Sequence, residues 1–275
     1  MLILTVVFSF QRNRDSQPVE ISEYDQNGLL IYRLCENGTE EFFTYDKKGN
    51  LLEKKRSDGY REIHEYDADG NEIHAKNTKK LEIWKKYDQN GNLIYTKDNR
   101  GFTESFSYDN QGRMIYEENS EGFKSWTEYD DKNRKEYYHN TDGFECWKEF
   151  DKNNQQVYKK IRNQFGNVIE EWTEYDSRGN ITHILDTEEY EAFYTYNTNG
   201  FLITYSDSTN YDIWYRRTAQ GLVTRYADSK GVYYECEYNR AGDLVYVNHI
   251  DCKKEIFYEY EKYADGSIKK VFVYN

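Results

Sequence analysis

Five tryptophans, Trp84, Trp126, Trp147, Trp172 and Trp214, stand three residues ahead of a recurring aromatic-led phrase. An indole offers a flat apolar face and one N–H donor, chemistry that stacks on a sugar ring or holds a partner's apolar side chain. Charges flank each of them two residues to either side: Glu82 and Lys86, Lys124 and Glu128, Glu145 and Glu149, Glu170 and Glu174, Asp212 and Arg216. Such neighbours keep the column wet. The column has a structural use as well, packing one turn of a winding sheet on the next or bracing its neighbours across strands, and the residue pattern admits both.

Other chemistry-bearing residues point less far. Asp67-Ala68-Asp69-Gly70-Asn71 resembles the start of a calcium loop but lacks the Glu twelve positions along, so turn formation is the expected role of these carboxylates. His64 and His74 are expected opposite each other across one hairpin, with no third ligand in view, and read as a polar pair rather than a metal grip. Asp and Glu are abundant, yet no pair is singled out at glycosidase spacing, and Ser, Cys and His form no nucleophile motif. A non-enzymatic protein without cofactor or metal is the expectation. Cys35, Cys146, Cys236 and Cys252 show neither CxxC spacing nor a shared phase, which argues against a disulfide framework or a cysteine-based zinc site.

Residues of this kind need elements to hold them, and the elements are written in the phrase Tyr87-Asp88-Gln89-Asn90-Gly91-Asn92-Leu93-Ile94. Its copies begin at Tyr24, Tyr45, Tyr66, Tyr87, Tyr108, Tyr129 and Phe150, each 21 residues apart, and resume after four inserted residues at Tyr175, Tyr196, Arg217 and Tyr238. A last irregular copy starts at Tyr263. A fixed period of that size marks a repeat array. Four residues into each phrase stands Gly28, Gly49, Gly70, Gly91, Gly112, Asn133, Asn154, Gly179, Gly200, Gly221 or Gly242, residue types that take positive φ most readily. Asp, two polar residues and a left-handed Gly spell a hairpin with a G1 bulge. A second turn follows ten residues later, at Gly38, Gly59, Gly101, Gly122, Gly143 and Gly231, with Lys80 in one copy.

Two turns per repeat predict an all-β, antiparallel meander of 23 or 24 strands of about six residues each. Residues 21–275 form the array, a break is expected near 163–167, and residues 1–20 supply a lead-in. Met1 to Phe10 is the one apolar run, readable as a worn export signal or as a first strand, and too short to span a bilayer.

Side-chain alternation then assigns faces. With the phrase aromatic paired to the residue six later, one face is expected to collect Phe102, Phe123, Phe144 and Tyr211, the phrase Tyr, the Leu or Met column (Leu51, Leu93, Met114, Leu202) and Tyr95, Tyr116, Tyr137 and Tyr158. The other holds Ile73, Ile94, Ile115 and Ile203 and the Trp column. A flat sheet of two dozen strands would run on the order of 110 Å. Apolar columns on both faces favour a strip that winds into a curved or spiral shell.

The repeated Tyr-Asp-x-x-Gly-Asn-Leu-Ile at a period near 21 resembles the YD repeats of the Rhs family, found in bacterial Rhs toxins, insecticidal toxin complexes, wall-associated proteins and animal teneurins. The resemblance covers about residues 21–275. It implies hairpins wound into a β-shell, in a family associated with carbohydrate binding or with enclosing a toxin. The DPxGL-like core motif and the toxic domain that follow the family's repeats have no counterpart after Asp265-Gly266, so enclosure and self-cleavage are not carried over.

Composition narrows the partners. The formal net charge is −13, with 32% charged, 37% hydrophobic and 17% aromatic residues, 29 of them Tyr. The charge argues against nucleic acid and leaves neutral glycans and basic proteins. The expectation is a bacterial binding or scaffold module that meets a carbohydrate or protein partner through Trp84, Trp126, Trp147, Trp172 and Trp214. The alternative is an acidic immunity-type protein that neutralises a basic toxin, for instance one from an Rhs locus. The compartment stays open, with the cell surface or secretion ahead of the cytoplasm.

Overall fold

The computed structural model describes residues 17–275, and the apolar run Met1 to Phe10 lies outside them. Each phrase folds as the tip of a hairpin. At Asp88 one carboxylate oxygen accepts the backbone N–H of Asn90 (2.8 Å) and of Asn92 (2.9 Å), and the other accepts the Asn92 amide (2.9 Å). Gly91 takes φ +82 and Lys80 φ +65, so the left-handed position is met in both turns. The Asp67 carboxylate is used in the same way by Asp69, Gly70 and Asn71, which accounts for the calcium-like spelling.

One hairpin departs from the expected turn. Between Lys124–Asp130 and Lys135–Asn140 the phrase lacks its Gly, the pairing runs unbroken through Tyr129 with Glu136 and Asp130 with Lys135, and the positive φ falls on Arg134 (+52) instead of Asn133. The inserted residues lengthen a second hairpin, Gln156–Arg162 with Val168–Tyr175. Its tip at 163–167 carries Phe165, 79% exposed, and the sheet continues past it.

The predicted register holds. Tyr87 pairs with Leu93, Tyr45 with Leu51, Tyr108 with Met114 and Tyr196 with Leu202. The next step holds a surprise: Lys86 pairs with Tyr95, because a β-bulge at Ile94 admits one extra residue. The same bulge recurs in nearly every hairpin and flips the alternation beyond it. Tyr95, Tyr116 and Tyr158 therefore lie on the Trp face, opposite to the sequence expectation; Tyr137 joins them without a bulge, because the turn that lacks its Gly pairs Tyr129 with Glu136 and so sets Tyr137 opposite Glu128. Tyr116, Tyr137 and Tyr158 pair directly with Trp126, Trp147 and Trp172. His64 and His74 are likewise separated, His64 pairing with Ala75 and His74 with Glu65, on opposite faces.

Twenty-four antiparallel strands follow one another, and the first, β1 (Glu20–Tyr24), pairs with the last, β24 (Ile268–Tyr274), through Ile21 with Phe272 and Ser22 with Val271. The sheet is thus a closed barrel rather than the spiral shell expected from the sequence. Closure leaves no free edge, and it satisfies the backbone groups that a spiral would leave open at its ends. The seam also carries Lys270 Nζ to Glu23 at 2.6 Å and the Tyr263 hydroxyl to the Tyr24 carbonyl at 2.8 Å.

The wall is one sheet thick. Its accessible surface is 18,415 Å² for 33.2 kDa, where a compact protein of this mass would expose about 12,600 Å². The face bearing the phrase Tyr is the more shielded and includes Ser125, Cys146, Thr173 and Ala192. Side chains converge on the concave side of a closed wall and diverge on the convex side, which places this face toward the bore. Both faces carry ion pairs at mid-strand, Lys85 with Glu72 on the shielded one and Lys160 with Glu170 on the open one. Strands are mostly six residues long, and no helix among the described residues is long and apolar enough to cross a membrane.

Tyrosine stitches neighbouring hairpins along the shielded face. The phrase hydroxyl donates to the backbone carbonyl fifteen residues earlier in Tyr45 to Leu30 (2.8 Å), Tyr66 to Leu51 (2.9 Å), Tyr87 to Glu72 (2.9 Å) and Tyr108 to Leu93 (2.8 Å). Where the phrase begins with Arg217, its Nε donates to Leu202 in the same manner. This bond accounts for Tyr at most phrase starts; Phe150, with no hydroxyl, forgoes it.

Gly221 combines two constraints: φ +91, and a Cβ that would sit 2.5 Å from the Phe201 ring. Gly221→Ala is expected to cost about 2–3 kcal/mol in urea unfolding, against about 1 for Gly231→Ala, where φ is +93 and nothing lies within 4 Å. Equal costs would mean that Phe201 yields freely.

Candidate functional site: an aromatic stripe on the open face

The open face carries a repeated triplet. In several units a ring eight residues after one phrase start lies across the strand from the aromatic of the Trp column, and its polar atom meets a Glu two residues before that aromatic. Tyr32 bonds Glu40 (2.9 Å) beside Phe42, and His74 Nε2 meets Glu82 (2.9 Å) beside Trp84. Tyr137 bonds Glu145 (3.0 Å) beside Trp147, and His183 Nε2 meets Glu191 (2.9 Å) beside Phe193. Stacking is close to parallel: His74 on Trp84 at 5.5 Å and 17°, Tyr137 on Trp147 at 5.1 Å and 25°, His183 on Phe193 at 4.7 Å and 14°. The carboxylate fixes the first ring, and the first ring covers one face of the second.

All five tryptophans lie on this face, in the strands expected for them. Trp84, Trp172 and Trp214 are exposed at 38, 41 and 47%, with Phe42 at 45% and Phe193 at 47% in the same column. Trp126 and Trp147 are half-buried, because rings join them into one ladder. Trp126 stacks on His139 (4.9 Å, 13°), His139 on Tyr137 (5.3 Å, 20°) and Tyr137 on Trp147. The Arg162 guanidinium sits 5.5 Å from the centre of the Trp147 ring. A cavity of about 260 Å³ opens beside this ladder, lined among others by Glu128, Lys135, Tyr137, Trp147 and Glu149.

Trp214 departs from the triplet. The place of the covering ring is taken by Thr204, its partner on one side, and Ala227 is its partner on the other. Phe193, two strands away, faces Ser206. The two rings stand two strands apart and two residues out of step, Phe193 in the row of Ser206 and Asp212 and Trp214 in the row of Thr204, an oblique separation of about 12 Å over a floor of Thr204 and Ser206. Asp212, paired with Ser206, supplies a carboxylate at its border.

The column was legible in the sequence; the coverage of each ring was not, because it depends on the bulge that brings the Tyr and His residues to the same face. Phe165 also escaped notice, although its place in the inserted segment was a signal.

No protein-family profile matches the chain, and no curated protein matches it. Among solved structures, that of TcdB2-TccC3 superposes with a TM-score of 0.53 at 15% identity, over 87% of this chain and 15% of that one. TcdB2-TccC3-TEV gives 0.54 at 14% identity, over 90% and 15%. The Photorhabdus luminescens Tc holotoxin pore gives 0.53 at 14% identity, over 92% and 15%. This chain spans only about that 15% of their length, and the likeness is one of fold.

Proposed function

We propose that the protein is a non-enzymatic binding or scaffold module whose open-face aromatic stripe receives a carbohydrate partner. The supporting observation is the exposed column itself, which from Trp126 through Trp147, Trp172 and Phe193 to Trp214 places a ring on every second strand, with bare ring faces at the Phe193–Trp214 gap. A chain-like ligand lying obliquely across the strands would meet a ring about every 12 Å, because each ring is two strands and two residues from the next, with Glu and Asp beside each ring to accept hydroxyl hydrogen bonds.

The test is tryptophan fluorescence and calorimetric titration with a panel of soluble polysaccharides. Trp214→Ala is expected to weaken binding at least tenfold, since stacking hot spots of this kind are worth about 2 kcal/mol or more. Its thermal midpoint should stay close to that of the parent, because no other ring among the described residues braces Trp214. Unchanged affinity in Trp214→Ala would remove the gap from the binding face.

The net charge of −13 favours a second reading, an acidic immunity-type protein that captures a basic toxin. Its binding would weaken steeply with salt, whereas stacking on sugar would not. Co-expression with neighbouring toxin genes would restore growth under that reading alone.

A further inference from the structure

We propose that His249, Asp251 and Cys252 form a site for a divalent transition metal of zinc-like preference, at the turn between β22 (Leu244–His249) and β23 (Lys254–Lys262). One ligand atom from each, an imidazole nitrogen, a carboxylate oxygen and a sulfur, all lie within 4.8 Å of one another. Ligands in a tetrahedral shell at about 2.0–2.3 Å from the metal sit roughly 3.3–3.8 Å apart. Rotation of the two exposed loop side chains, Asp251 and Cys252, closes that difference.

The repeat explains why this turn stands out. Cys35, Arg56, Ile161 and Tyr274 aside, the position eleven residues after the phrase start carries Asn77, Asp98, Asn119, Asn140, Asp186, Asp207 or Asp228 in the other copies. Those side chains are consumed by their own turns, as when Asp228 accepts the N–H of Lys230 (2.9 Å) and Val232 (3.0 Å). Position 249 carries imidazole instead. The turn shortens to four residues, with Lys253 at φ +55 in place of glycine.

None of the three side chains makes a hydrogen bond or ion pair among the described residues. The His249 ring rests against Tyr234, 5.4 Å between centres at 49°, which orients it without using its nitrogens. Three lone-pair donors thus meet in one turn with nothing else to hold.

The donor set selects the metal. Calcium and magnesium take all-oxygen shells, whereas one N, one S and one O suit zinc or cobalt. Binding replaces the thiol proton, releasing one proton to solvent per ion. Three protein ligands leave the fourth position to water. The ion would clip the β22–β23 turn, two strands from the seam.

Cobalt(II) titration of the reduced, metal-free protein tests this. The expected result is a near-ultraviolet thiolate-to-cobalt absorption band that saturates at one ion per chain and is discharged by zinc. Cys252→Ser should abolish the band, His249→Gln should weaken binding at least about tenfold, and Cys35→Ser should leave it intact. These are surface turn residues, so far-ultraviolet circular dichroism is expected to match the parent in every variant. Absence of the band from the parent, its survival in Cys252→Ser, or its loss in Cys35→Ser would overturn the assignment.

Discussion

Above about pH 10 the barrel is expected to unfold cooperatively, with its tyrosines ionising as it does so. Burial raises the pKa of the stitching phenols Tyr45, Tyr66, Tyr87, Tyr108, Tyr129, Tyr175, Tyr196 and Tyr238 above the ordinary value of 10.0. Each must stay protonated to donate to its carbonyl. Below pH 10 both states hold the proton and the contribution to stability is complete. As pH rises past that value the unfolded chain loses protons first, so stability falls through the interval up to the raised folded values. One such group matters little, but a ladder of them weakens most hairpin junctions at once.

Absorbance of phenolate followed against far-ultraviolet circular dichroism checks this. The two signals should move together above pH 10, and Tyr87→Phe should shift the transition. Phenols that titrate near 10 while the strand signal persists would contradict the stitching role. Acid has the mirrored effect at the tips. Turn hydrogen bonds hold the carboxyls of Asp46, Asp67, Asp88 and Asp176 below the usual range. Their stabilising effect is present above the ordinary carboxylate value and is lost as pH falls below it toward the lowered folded ones.

Removal of residues 268–275 is expected to open the barrel while leaving most of the sheet intact. Strand-to-strand contacts join each strand to its two neighbours alone, and β1 meets β24 only at the seam. In such an array, deletion of the closing strand removes one interface and does not propagate. It leaves β1 and β23 as unpaired edges, the kind that recruits strands from other molecules.

Small-angle scattering should show a marked increase in radius of gyration, toward a strip on the order of 110 Å across, and size exclusion should show species larger than those of the parent. Circular dichroism should retain the strand signal. An unchanged radius would mean that curvature is built into each hairpin and does not need the seam.

That contrast separates what was legible in the sequence from what was not. Positive-φ turns, strand length, the pairing of Tyr87 with Leu93 and the place of the Trp column depend on residues within a few positions of each other, and Gly, Asn and Asp write those constraints directly into the repeat. The bulge beside Ile94 belongs to the hairpin too, yet no residue type announces it, so Tyr95 falls on the face opposite to the expected one and His74 faces Glu65 and Trp84 instead of His64. Closure was further out of reach. It depends on curvature summed over 24 strands and on whether Ile21 and Ser22 arrive opposite Phe272 and Val271, which no single repeat encodes. The bare faces at Trp214 and the gathering of His249, Asp251 and Cys252 likewise became visible only once register had fixed each side chain's neighbours. Local backbone preference is set by a residue and its nearest neighbours in the chain; the geometry of a closed sheet is set by partners more than 240 residues apart.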